Sequence, residues 1–251
     1  MAESKSLLIS SPESNLTLSL AQNEEEIREA QRLRFRVFAE EMGAHLPEAT
    51  DGLDQDAFDS FCDPLVVRDH VLNQVVGTYR ILSYAQAAKA GGFYSETEFD
   101  LSRILALAPR LVEVGRSCVH PDYRRGPTIT LLWAGLAQYM EMTEHRYLIG
   151  CASISMADGG HNALTLYQSL RDKHLSPLEW RAFPFRPLPL ERSERIGEPS
   201  LPPLLKGYLR LGAYICGEPA WDPEFGTADL LVLLPMSRLN PRYAKHFLRG
   251  A

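Results

Sequence analysis

LVEVGRSCVHPDYRRGPTITLL, residues 111–132, reads as a strand that runs through a basic turn into a helix. Period-two alternation places Glu113, Gly115, Ser117 and Val119 on one strand face and Val112, Val114, Arg116, Cys118 and His120 on the other. Pro121 ends the strand. Arg124, Arg125 and Gly126 then lead to Pro127, which suits the first helical position because its missing N–H has no partner to lose there. The amides of Thr128, Ile129 and Thr130 would point outward, and unpaired amides at the positive end of a helix attract an anion. This layout predicts a phosphate-binding turn. Its competitor is an ordinary strand-turn-helix with solvated arginines.

With 251 residues and 45% hydrophobic content, the chain can bury a large core. A formal charge of −6 argues against general nucleic-acid binding, which needs a basic surface to track phosphates. Cys62, Cys118, Cys151 and Cys216 stand far apart, without zinc-ligand or disulfide spacing, so the expected compartment is the reducing cytoplasm. MAESKSLLISSPES has no signal-peptide core, and no stretch approaches the roughly 18 to 20 apolar residues that span a bilayer.

Residues 1–15 are polar and predict a loose start, followed by a strand at 16–21. Asn23 caps the next helix, Glu24, Glu25 and Glu26 suit its positive end, and Ile27, Ala30, Leu33, Val37, Phe38 and Met42 recur near helical spacing to about residue 42. An acidic loop at 49–63 leads to strands at 65–69 and 75–82, a hairpin turning near Asn73. Residues 84–108 predict a helix, a break at Gly91 and Gly92, an extended piece near Phe99 and a short helix before Pro109. Beyond the opening motif come a buried strand at 147–154 and a helix from His161 or Asn162 to about 173, an order that implies neighbouring parallel strands. Residues 176–203, with FPFRPLPLERSE, are too rich in proline for a long helix and form an excursion or lid. A short helix at 204–211, a buried strand at 228–234 and a terminal helix from Pro241 complete the chain. Leu201, Leu204, Leu205, Tyr208 and Leu211 fall near one helical face beside Lys206 and Arg210, so that helix either lies on a membrane surface or packs on the core.

The opening motif resembles the acyl-donor loop of the GNAT acyltransferases, in which such amides hold the phosphates of coenzyme A or of a carrier protein's phosphopantetheine. Pro127 and Ile129 stand where that family usually has two glycines, a departure that weighs against a free coenzyme A pyrophosphate. A-L-T-L-Y-Q-S-L resembles the GNAT helix whose tyrosine protonates the departing thiolate, which would be Tyr167; Gly160 replaces that family's usual asparagine. L-R-F-R-V-F, D-Q-D-A-F-D and the Glu113–Arg116 spacing are similar to acyl-homoserine-lactone synthases. GGFYSETEFDLSRIL, Y-L-I-G-C-A-S-I and P-P-L-L-K-G-Y-L-R-L-G-A-Y-I-C-G-E-P-A-W-D resemble the ornithine N-acyltransferases of ornithine-lipid synthesis, a likeness covering about residues 17–235.

This resemblance implies an α/β GNAT-type fold with a mixed central sheet flanked by helices, as one domain over 16–251. It implies transfer of a 3-hydroxyacyl group from acyl carrier protein to the α-amine of ornithine, giving lyso-ornithine lipid, with no metal or other cofactor. A protonated amine cannot attack, so a strand carboxylate, Glu113, is the natural base. Amides near Ser117 and Val119 would hold the oxyanion, and Arg124, Arg125, Gly126, Thr128, Ile129 and Thr130 would meet the donor. Asp54, Asp56 or Asp59 would receive the side-chain ammonium and Arg34, Arg80 or Arg116 the carboxylate, unless these six form ion pairs among themselves. The product is a lipid, which implies a cytoplasmic protein with peripheral contact at the inner membrane face. Rival functions are a lactone synthase, a non-catalytic carrier-binding module, and a thioesterase built on Cys118 and His120. The long excursion speaks against the first, and Glu113 with Tyr167 against the second.

Overall fold

The computed structural model describes residues 7–11, 14–188 and 199–239. In chain order its elements are β1 (Leu8–Ser10), β2 (Leu16–Leu20), α1 (Glu24–Phe35), β3 (Asp63–Asp69), β4 (Gln74–Ser83), α2 (Tyr84–Ala90), β5 (Phe99–Asp100), β6 (Leu111–Val119), α3 (Thr128–Met142), β7 (Tyr147–Ser155), α4 (His161–His174), β8 (Phe183–Pro184), α5 (Pro203–Leu211), β9 (Tyr214–Ile215), β10 (Ala220–Asp222) and β11 (Thr227–Pro235). Nine strands form one sheet in the order β1-β2-β3-β4-β6-β7-β11-β10, with β9 also on β11. β6 and β7 run parallel and the other neighbours antiparallel, so the sheet is mixed, as a GNAT-type fold requires.

Asn23 caps α1 by accepting a hydrogen bond from the Glu26 amide at 3.0 Å, while the Glu26 carboxylate accepts from the Gln22 amide at 2.7 Å. The helix continues into a π-helical turn, Arg36–Glu41, that keeps Val37 and Phe38 buried. Ala30, Leu33, Val37 and Phe38 pack on Val66, Val75 and Cys118, which fixes α1 to one face of the sheet. The opposite face carries α3, through Leu131, Leu132 and Leu136, against Leu18, Leu65 and Val76.

Three expectations change here. Leu8–Ser10 pairs with β2 and buries Leu7 and Ile9, so the chain is ordered well before residue 15. The apolar side of α5 is not a free membrane face: Leu205, Tyr208 and Leu211 are buried in the core. The excursion is held in part, by a turn at Leu178–Trp180 and by the β5–β8 pair; the terminal helix expected from Pro241 lies outside the described residues. Among the described residues, no helix is long and apolar enough to cross a membrane.

β6 and β7 pair only at Leu111–Tyr147, Val112–Leu148 and Glu113–Ile149, then part. Where they part, backbone crosses close to backbone: a Cβ on Gly150 would lie 2.4 Å from the Val114 carbonyl oxygen. Gly150→Ala is therefore expected to destabilise the fold by about 1–3 kcal/mol, the usual cost of overpacking. Gly115→Ala, whose Cβ meets nothing within 4 Å, should not. Thermal denaturation of the two variants checks this, and equal melting temperatures would refute it.

Candidate active site

Strand β6 carries one residue more than its partner. Thr78 faces Cys118 and Arg80 faces Gly115, so Tyr79 alone stands opposite Arg116 and Ser117. Arg116 takes a left-handed conformation, φ 49°, which makes this a β-bulge. The bulge corrects the simple alternation of faces. Glu113, Arg116 and Cys118 share the α1 side, where they meet Ser95, Asp56 and the Leu33 cluster respectively. Val112, Val114, Ser117 and Val119 turn to the α3 side.

Beneath α1 the six charged residues come together as an ion network. Arg34 Nε lies 2.8 Å from Asp54 Oδ2 and its Nη1 2.7 Å from Asp59 Oδ1, and Nη2 donates to the Asp54 carbonyl and to Asp59 Oδ2. Arg80 Nη1 lies 2.6 Å from Asp56 Oδ1, and Arg116 Nη2 donates to Asp56 Oδ2 at 3.1 Å. Burial alone would discharge Arg34, yet the hydrogen bond and charge of Asp59 hold its pKa above the ordinary value. Burial likewise works to raise Asp59, but the hydrogen bond and charge of Arg34 bring it below the usual carboxylate range. Arg34 and Asp59 are thus spent on each other, and neither lines the two cavities described below. Arg116 differs: its Nε is buried without a hydrogen-bond partner, and its guanidinium stacks 5.1 Å from the Tyr94 ring and 4.6 Å from that of Phe225.

Glu113 is buried beside this network. Its Oε2 accepts from the Tyr94 amide at 2.7 Å, and its Oε1 accepts from the Ser95 amide at 2.8 Å and from the Ser95 hydroxyl. Burial pushes its pKa up, against the pull of those donors and of Arg80. Oε2 keeps one acceptor position free.

A second acidic group was not singled out in the sequence. Glu98, Asp222 and Asp229 lie across from Glu113, and carboxylate oxygens of Glu98 and Asp229 come within 4.8 Å of each other and of the Cys151 thiol. Burial and then mutual repulsion raise Glu98, and burial raises Asp229, so the pair holds a proton that isolated carboxylates would release. Oε1 of Glu98 is buried without a hydrogen-bond partner. The available signal was an aspartate inside the apolar run ADLLVLLP, since an acid buried in a strand needs a reason.

These groups open on a cavity of about 460 Å³ that passes through the gap between β6 and β7. Glu113, Arg116, Asp222 and Asp229 line one part; Leu132, Trp133, Leu204, Tyr79 and Tyr208 line another. A hollow of about 330 Å³ shares Tyr94, Arg116 and Asp222 with it and reaches Glu98, Asp54 and Asp56.

The basic turn lies between β6 and α3, and its details differ from the expectation. Pro127 is the cap of α3 and not its first residue; the first helical bond runs from the Leu131 amide to the Pro127 carbonyl at 2.8 Å. Thr128 is fully buried with its hydroxyl unpartnered, Thr130 is half-buried, and Ile129, Ser117 and Val119 line the cavity. Arg124 is not a free cation: both its terminal nitrogens lie 2.6 Å from Glu41, and its Nε donates to the Val119 carbonyl at 3.1 Å. Arg125 and Gly126 are exposed.

The thiol and phenol candidates stand as follows in the structure. Burial pushes the Cys118 thiol up to about 12, and the His120 ring faces Asp122 and Tyr123, so the thiol has no base to activate it. Tyr167 is buried in the core and is not among the residues lining the cavity.

The family model of the acetyltransferase (GNAT) domain matches residues 33–134. The chain is 42% identical to an L-ornithine N(alpha)-acyltransferase of Brucella abortus, covering 93% of this chain and 89% of that one. It is 40% identical to the enzyme of the same name from Agrobacterium fabrum, covering 92% and 85%. Among solved structures, the AHL synthase LasI superposes with a TM-score of 0.56 at 12% identity, over 95% of this chain and 97% of that one, which shows a shared fold. With such identity over nearly the whole length of both chains, the protein belongs to the L-ornithine N(alpha)-acyltransferase family, within the GNAT acyltransferases.

Proposed function

We propose that this protein transfers a 3-hydroxyacyl group from acyl carrier protein to the α-amine of L-ornithine, giving lyso-ornithine lipid. The observation that carries this reading is a single cavity that joins a buried carboxylate base, two arginines and an acidic group to an apolar chamber. The names of the related enzymes support ornithine as the acceptor.

Arg116, which lines the cavity, receives the acceptor's carboxylate. Its side-chain ammonium goes to Asp222, Asp229 and Glu98, because Asp54, Asp56 and Asp59 are already neutralised by arginines. The α-amine then faces Glu113, whose free position on Oε2 takes its proton directly or through a water. Attack on the thioester makes an oxyanion beside Ser117 and Val119, where β6 has left β7 and its edge has no ladder partner. An aliphatic thiol titrates near 8.5, so the thiolate leaves readily and takes its proton afterwards. Tyr167, set off the cavity wall, is not an obligatory donor in this reading. The donor comes on a carrier protein's phosphopantetheine, because Pro127 and Ile129 crowd the turn that a coenzyme A pyrophosphate would use. Peripheral contact at the inner membrane face belongs to the same proposal; with α5 committed to the core, the exposed Leu178, Phe183, Phe185 and Trp221 are the side chains such a surface would meet.

Glu113→Gln should lower turnover at neutral pH by about 10²- to 10⁴-fold, the usual worth of a general base. Burial raises the Glu113 pKa, and the base works only when ionised, so wild-type activity should fall on the acid side at a pH above the ordinary glutamate value near 4.3. Steady-state rates across pH check both, and a Gln variant with the same rate and acid limb would rule Glu113 out. Asp229→Asn should erase most of the preference for ornithine over norvaline, which has the same chain without the side-chain ammonium. Competition between the two, resolved by product mass, reads this directly, and an unchanged ratio would place the ammonium elsewhere. For the donor, carrier thioester should outperform the coenzyme A thioester. Arg125→Ala should raise the carrier's KM several-fold at low salt and much less at high salt. Equal use of both donors, or a salt-independent loss, would refute that assignment.

A further inference from the structure

Most of the chamber on the α3 side of the gap is apolar, with one polar feature. The hydroxyls of Tyr79 on β4 and Tyr208 on α5 lie 2.9 Å apart, both residues are 2% exposed, and both line the cavity. Trp133 holds them edge-on, with ring centroids 4.8 Å from Tyr208 and 6.5 Å from Tyr79. Leu132, Ile129, Leu204 and Val114 complete the wall around them. Burial pushes both phenols above their ordinary pKa, so they stay neutral and keep their protons.

Tyr79 stands opposite Ser117 where β4 meets the bulge of β6, and Ser117 lines the same cavity. Two hydroxyls joined by one hydrogen bond use one of their two hydrogens and one of their four lone pairs, so one O–H and three lone pairs are left over. Both tyrosines line the cavity, so a group entering it meets this pair. Nothing in the chemistry of attack on a thioester needs them there. A plain hydrocarbon chain would gain nothing from them, whereas a chain bearing a hydroxyl could both give and accept a hydrogen bond. Ser117 also fixes the depth: it lies where β6 leaves β7, beside the proposed thioester, so a group reached through Tyr79 sits close to the carbonyl end of the chain.

We propose that Tyr79 and Tyr208 form the specificity element that reads a hydroxyl on the third carbon of the acyl donor. The inference rests on the acyl-transfer reading above and adds to it the residues that choose the chain. The preference is modest by design. When a plain chain enters, the two tyrosines still satisfy each other, so the loss is that of one net hydrogen bond and not that of a stranded polar group.

The test compares 3-hydroxyacyl and unsubstituted acyl carrier protein of equal chain length, with ornithine as acceptor, in the wild type and in Tyr79→Phe and Tyr208→Phe. The wild type should favour the hydroxyacyl donor by about five- to tenfold in kcat/KM. Each Phe variant should bring the ratio toward one while leaving plain-acyl turnover within about twofold. An unchanged ratio in folded variants overturns the proposal, as does an equal loss with both donors, which would mean a catalytic or purely structural role. A wild type that shows no preference overturns it as well. A second measurement does not depend on turnover: binding of 3-hydroxyacyl-pantetheine against acyl-pantetheine, followed by tryptophan fluorescence because Trp133 abuts both rings, should give the same ratio and the same loss in the variants. If ornithine is not acylated with either donor while this binding preference stands, the acyl-transfer reading fails and the tyrosine assignment survives.

Discussion

The extra residue in β6 is the constraint on which the rest of the site depends. A non-glycine residue held at φ 49° costs on the order of 1–3 kcal/mol, so Arg116 needs compensation. It finds this in Asp56, in Asp54 at 3.4 Å, and in the two aromatic rings that sandwich its guanidinium. The gain from that conformation is directional. Without the bulge, Arg116 would follow Val114 to the α3 side, away from Glu113. With it, Glu113 and Arg116 open into one space, and Ser117 turns the opposite way, to the side of Tyr79.

The ion network shows why a substrate site and a structural network can share residues without being interchangeable. A buried arginine stripped of its partner is expensive, commonly about 3–5 kcal/mol, so Arg34 with Asp54 and Asp59 is a structural anchor that ties the acidic loop to α1. Arg80 serves as the bridge, since Asp56 and Asp59 both lie within 3.4 Å of it. Arg80 and Arg116, unlike Arg34, line the cavity. The arrangement therefore grades from fixed to available along one chain of charges, and an acceptor meets the available end against a scaffold that cannot relax away from it.

Much of this was legible in the sequence because the strongest signals are local. The cap at Asn23, the 3.6-residue recurrence through α1, the hairpin of β3 and β4 and the β6-turn-α3 unit follow from periodicity and turn chemistry within a few residues. The grouping of Arg34, Arg80 and Arg116 with three aspartates came from resemblance and stands in space as one network. The rest depends on nonlocal facts that alternation cannot carry. A bulge moves every later side chain to the other face, and LVEVGRSCV contains nothing that announces it apart from a glycine before an arginine. Arg124 looks like a donor contact until Glu41, far off in sequence, takes both its nitrogens. Asp229 looks like an interruption in an apolar strand until Glu98 and Cys151 are found beside it. The burial of α5 could be read either way, because one apolar stripe suits a core and a membrane equally.

The division of the cavity between the two sides of the sheet follows from the chemistry it has to reconcile. A charged diamino acid needs fixed counter-charges, and a long acyl chain needs a dry wall; placed on the same surface, each would spoil the other's environment. A continuous sheet would separate them completely. Parting β6 from β7 after three residue pairs leaves a slot through which only the reacting carbonyl has to pass. Charged groups then collect on the α1 side, where Arg80, Glu113 and Arg116 face the carboxylates, and Leu132, Trp133 and Leu204 collect on the α3 and α5 side. Gly150 is what lets the strands cross closely enough to keep the slot narrow, since any larger residue would press against the Val114 carbonyl. The same sheet that supplies the core thus supplies the partition, and the parting of β6 from β7 supplies the passage.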